Sequence, residues 1–297
     1  MKKAKRIKMN KFNISKTQAA LDAGRSLIFE AGIFNLGDAD TGFSLTTTDT
    51  HITAEGNVLL LYEGTGHAIE LNNGYSGRIE GLRIQGIDSG IGVFVNGGFA
   101  LMRSVEIRNF NVGLFLNVCQ VGSFQDFLIQ SCSSYGIDTN VANDQNHIAM
   151  RNFIFRVNGV HMRLMKARNI VAEFFDFEAA KGYALELGSS GGGSFQAVVF
   201  KHCWFEANNT DYLPKDERGE IYAVSKAPFT VRGLRFESCF WALLNGEGAN
   251  QHNKEGSANA SKYHLQLGSH PSGDSDKDNT TFVGGKPDPE NLVIRYM

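Results

Sequence analysis

Asp176, Glu178 and Glu206 are the residues of this chain best suited to chemistry, with Trp204, Arg235, Arg156 and Glu237 expected beside them. Carboxyls held close together repel, which raises the pKa of at least one. A protonated carboxylic acid next to an ionised carboxylate is what glycoside hydrolysis requires. The expected assignment is Glu206 as general acid, with Glu178 or Asp176 as base or nucleophile. Trp204 offers an apolar face to a sugar ring, and Arg156 or Arg235 a cation for an acidic sugar. A second set, Asp138, His161 and Glu186, forms an alternative acid/base constellation, since histidine suits proton transfer near neutral pH. Both sets also read as the solvated charges that keep any elongated protein in solution. Phe94 and Phe115 form an outward aromatic pair, the mark of an interface or a sugar platform.

These residues become neighbours only if the chain coils. An apolar-x-apolar phrase ending in a small or polar residue recurs as Leu82/Ile84, Val105/Ile107, Phe127/Ile129, Phe153/Phe155, Phe175/Phe177, Cys203/Phe205 and Leu234/Phe236, at steps of 22 to 31 residues. Each copy alternates like a half-buried strand and lacks the i, i+3, i+4 pattern of a helix. A second phrase runs Ile69-Glu70-Leu71, Val93-Phe94-Val95, Leu114-Phe115-Leu116, Ile137-Asp138-Thr139, Val160-His161-Met162 and Leu185-Glu186-Leu187. Two short strands per repeat, stacked on those of the next, make a parallel β-helix. The residues between the apolar slots then form outward columns. One reads Arg83, Glu106, Leu128, Ile154, Asp176, Trp204, Arg235, and its neighbour Gln85, Arg108, Gln130, Arg156, Glu178, Glu206, Glu237. The second phrase adds a column Glu70, Phe94, Phe115, Asp138, His161, Glu186.

The fold class expected is all-β, a single-stranded parallel β-helix over residues 15–244. A basic tail (1–14) precedes it and a loop-rich C-terminal cap (245–297) follows. Ser15 to Gly24 reads as a short capping helix with a Ser or Thr cap and a closing glycine. A net charge of −2 gives no electrostatic case for nucleic acid or an anionic membrane. No apolar run reaches the length of a membrane span, and polar Asn10, Lys11 and Asn13 stand where a signal peptide would be apolar. Cys119, Cys132, Cys203 and Cys239 lack metal-finger spacing, and Cys203 occupies an inward slot. No cofactor is expected. The acids of Gly273 to Asp278 are a weak calcium candidate, without the glycine and terminal Glu of the EF-hand loop.

The segment Thr17 to Leu36, TQAALDAGRSLIFEAGIFNL, resembles the opening of the pectate-lyase-like right-handed parallel β-helix superfamily. His51 to Gly56 is similar to its following coil. Phe175-Asp176-Phe177-Glu178 and Cys203 to Asn208 resemble coils of bacteriophage tailspikes and related polysaccharide-active β-helices. The resemblance spans roughly residues 17 to 244 and implies a right-handed coil, a homotrimer, and a bacterial surface polysaccharide as partner. It also implies a virion protein made in the cytoplasm and released by lysis, attached to other virion proteins through the short N-terminal tail. The expected function is thus a tailspike-like protein of a phage or prophage that binds, and can cleave, such a polysaccharide for host adhesion. If enzymatic, it is a depolymerase, hydrolase or lyase. The alternative is a non-enzymatic structural β-helix of a virion or contractile particle.

Overall fold

A computed structural model of the 297-residue chain describes residues 6–9, 11, 13–72, 77–188, 193–206, 208, 219–223, 229–241, 263–267, 280–286 and 294–296. The chain winds as a β-solenoid. Each coil gives a long strand to one sheet (Val121–Gln130, then Gln145–Arg156, then Lys166–Glu178) and a short strand to a second (Tyr135–Thr139, then Val160–Leu164, then Leu185–Leu187). Every pairing in both sheets is parallel and joins one coil to the next, for example Phe127 to Phe153 and Phe153 to Phe175. Alternation sends Phe127, Phe153 and Phe175 inward, where their rings stack at 4.7 Å centroid spacing along the axis. Phe155, Phe177 and Phe205 form a second internal stack at 5.2 and 4.8 Å. Burying such side chains removes the largest apolar areas of the chain from water and is the main stabilising term of the coil.

The long strands are not straight. Gly81, Ser104, Asp126, Asn152, Phe174, His202 and Ser238 all have positive φ, between 52° and 77°. Each left-handed residue turns its strand, so the long sheet is folded lengthwise into two arms. The bends stack in register from coil to coil, and they shape the outer surface described below.

The ends differ in part from expectation. Helix α1 (Ile14–Asp22) covers the first coil with Leu21 fully buried, and Gly24 closes it at φ 67°. Its cap is Asn13, whose side chain accepts a hydrogen bond from the Lys16 amide at 3.0 Å, in place of the serine or threonine expected. The basic tail is not free throughout. Arg6–Met9 pairs in parallel with Ser26–Phe29, and Lys8 Nζ reaches Glu55 at 3.0 Å and Glu30 at 3.4 Å. Met9, turned into the core, is what ties this edge strand down. At the other end Tyr263–Leu267 and Ile294–Tyr296 extend the short sheet, and Thr280–Lys286 pairs with Phe229–Trp241. The ladder therefore runs on past residue 244. The calcium candidate at residues 273–278 and the loop 209–218 lie outside the described residues.

All four cysteines are buried thiols. Burial pushes Cys119 and Cys132 up to about 12.

Candidate functional site

Asp176 and Glu178 project from the second arm of Lys166–Glu178 because Phe175 and Phe177, between and beside them, point into the core. The next coil sets Trp204 directly opposite Asp176, and Glu206 opposite Glu178. Adjacent strands lie about 4.8 Å apart, so three carboxyls and an indole share one patch. Earlier coils continue the two columns back through Ile154 and Arg156, Leu128 and Gln130, Glu106 and Arg108, and Arg83 and Gln85.

An open groove of about 890 Å³ runs along this column beside the stacked bends. Leu128 and Ile154 make an apolar floor, and Asp126, Asn152, Phe174 and His202 line it from the bends. Phe174 and His202 stack at 5.2 Å, with the Arg151 guanidinium 5.3 Å from the Phe174 ring centre. Trp204 stacks on Phe240 at 3.9 Å and donates from Nε1 to Glu206 Oε2 at 2.7 Å. Arg156 pairs with Glu178 at 3.4 Å. Burial, then repulsion from Glu178, pushes the Asp176 carboxyl up to about 6; Arg156 opposes the shift and Glu206 adds to it. Asp176 thus carries a proton at pH values where an ordinary aspartate has lost it, which makes it a proton donor poised over the groove.

Two expected members of this patch lie elsewhere. Arg235 pairs with Val199 and Glu237 with Lys201, on the first arm across the bend, and Phe240 takes the position opposite Trp204. The strand Phe229–Trp241 carries inward apolar residues on both arms. Leu234 and Phe236 belong to the first, packed beside Val198 and Phe200. Arg235 and Glu237 instead pair with each other at 2.8 Å, and Lys201 with Glu237 at 3.3 Å.

The second constellation is corrected at His161. The residue between Asp138 and Glu186 in the outward column is Arg163, because Met162 pairs with Ile137 and Leu185. Arg163 donates twice to Asp138, at 2.7 Å each, and once to Tyr135 Oη at 2.6 Å. Burial raises the Glu186 carboxyl, with Arg163 opposing. His161 points inward and is fully buried, and burial lowers its pKa to about 3. The Glu178 carbonyl, 2.9 Å away, only accepts, so Nε2 carries the proton and Nδ1 accepts from Asn158 at 3.0 Å. His161 is a structural link and not part of an outward acid/base set. Phe94 and Phe115 are half-buried in a ring ladder with His67, at 4.1 and 5.5 Å spacing, so less of each ring faces solvent than an isolated aromatic would present.

Asp126, Asn152, Phe174 and His202 were not singled out from the sequence. A signal existed: each immediately precedes the first apolar residue of its coil's phrase, the position of the bend.

No protein-family model matches the chain, and no curated protein matches it by sequence. Among solved structures, the A-module of Azotobacter vinelandii mannuronan C-5 epimerase AlgE6 aligns over 92% of this chain and 93% of its own length, with TM-score 0.51 and 10% identity. The Dettilon tailspike protein gp208 aligns over 95% of this chain and 64% of its own, at TM-score 0.44 and 12% identity. The catalytic domain of a GH87 α-1,3-glucanase in complex with nigerose covers 99% and 68%, at TM-score 0.41 and 10% identity. At such identity the AlgE6 likeness speaks for the fold alone. The chain is a parallel β-helix, the architecture that its opening segment resembles.

Proposed function

We propose that the groove binds a polysaccharide lying along the solenoid and that its acidic end hydrolyses a glycosidic bond, with Asp176 as general acid. The observation that carries this is a carboxyl raised to about 6 in an apolar-floored groove, beside two further carboxyls and an indole. Asp176 protonates the leaving oxygen. Glu206, oriented by the Trp204 indole, serves as base or nucleophile, while Glu178 is partly neutralised by Arg156. This exchanges the roles expected from the sequence, because burial singles out Asp176 as the proton carrier. The fine identity stays that of the sequence resemblance: a tailspike-like virion protein acting on a bacterial surface polysaccharide, assembled as a homotrimer of the 32.6 kDa chain.

The test is incubation of purified protein with a panel of bacterial capsules and lipopolysaccharides, followed by assay of new reducing ends. Release by the wild type, lost in Asp176→Asn and Glu206→Gln while glycan retention persists, supports the assignment. Release with unsaturated uronate absorbance makes the chain a lyase. Neither release nor retention of any glycan overturns the reading and favours a purely structural β-helix.

A further inference from the structure

Resting on the reading of the groove as a glycan site, we infer that its substrate is an uncharged polysaccharide and not a polyuronate or other polyanion. Five carboxylate side chains line the groove, Glu106, Asp126, Asp176, Glu178 and Glu206, against one arginine, Arg83. That arginine is already committed, with Nε 2.9 Å from Glu106 and Nη1 3.1 Å from Asn57 Oδ1. The cations at the rim are likewise engaged: Arg103 meets Asp126 at 3.3 Å, and Arg156 meets Glu178 at 3.4 Å. Among the described residues, no lysine or arginine forms an ion pair with Asp176 or Glu206. An acidic sugar laid along this column would meet like charge with no unengaged guanidinium to receive its carboxylate, and like-charge juxtaposition is how a binding site rejects a wrong partner.

The surfaces that remain suit neutral sugars. Leu128, Ile154, Trp204 and the exposed Phe174 ring offer apolar faces to the C–H sides of pyranoses, while the Asn152 amide donates to or accepts from sugar hydroxyls and the carboxylates accept from them. From the strand of Arg83 to that of Trp204 the column makes five coil steps, about 24 Å at ordinary strand spacing, room for several sugar units.

The experiment is an array of purified bacterial capsular and O-antigen polysaccharides sorted by charge, with each acidic polymer also printed after carbodiimide activation and borohydride reduction to its neutral counterpart. Retention of neutral polymers is expected, insensitive to salt. Carboxyl-reduced forms are expected to bind at least roughly tenfold more tightly than their acidic parents at low ionic strength, with the gap closing as salt rises. Retention of acidic polymers as tightly as, or more tightly than, neutral ones overturns this inference and leaves glycan binding standing. Retention of nothing at either charge overturns glycan binding itself, and this inference with it.

Discussion

Asp176 and His161 are both displaced by burial, in opposite senses that matter for pH. Asp176 titrates at about 6 in the fold and near 3.9 when unfolded, so between those values the folded state holds the extra proton. Its contribution to stability is present below about pH 4 and is lost as pH rises through about 6. Asp176→Asn is therefore expected to raise the melting temperature relative to wild type at pH 8 and not at pH 4. Equal offsets at both would show that the carboxyl is not desolvated. The hydrolytic rate, if Asp176 is the acid, should fall as pH climbs through about 6. His161 titrates at about 3 in the fold and near 6.5 unfolded, so its contribution is present above 6.5 and drains away as pH falls toward 3. Because it bonds the Glu178 carbonyl and Asn158, His161→Phe removes both bonds, leaving one N–H of an Asn158 amide that stays bonded to Ile129 and Cys132 without its acceptor, at about 1–3 kcal/mol for a buried polar group left unsatisfied. Urea unfolding at pH 8 measures the loss. A variant as stable as wild type would mean that these bonds contribute nothing.

At the scale of the strand, register is decided by small slots as much as by apolar ones. Gly92, Gly113 and Gly136 occupy one column of the short sheet, where neighbouring coils approach closely. A Cβ on Gly113 would sit 2.7 Å from the Gly136 carbonyl and 2.8 Å from Ile129 Cγ2. Gly113→Val should cost roughly 1–3 kcal/mol by overpacking and lower the urea midpoint; an unchanged midpoint would show that the coils can move apart. His161 fills the same column one coil on, opposite Gly136. Alternation alone misplaces it because this slot and the Met162 slot after it both face the core, so the period of two breaks at the start of the short strand, and the glycine that marks the slot elsewhere is missing here. Bends carry their own cost. Val157, 48% exposed, stands at φ 54°, a left-handed conformation that costs an ordinary L-residue about 1–2 kcal/mol. Val157→Asn should relieve part of this and raise the melting temperature.

For the molecule as a whole, cooperative stacking closes the core to reagents. The native protein should react slowly with a neutral disulfide reagent at all four buried cysteines and fully once denatured. Fast labelling of the native state would reveal coils that open. The sequence by itself determined the solenoid, its two strand phrases, and the outward column from Arg83 to Trp204, because strand alternation and coil length are local properties that a stretch of residues carries wherever it lies. It also singled out Asp176, Glu178 and Glu206 as one cluster. Only the tertiary structure decided that Arg235 and Glu237 lie across the bend and that Arg163 takes the place expected for His161. It also decided that stacked left-handed residues fold the sheet into a groove and that burial makes Asp176 the group holding a proton. Each of these depends on how one coil packs against the next and on where the strand bends, which the alternation within a single phrase does not record.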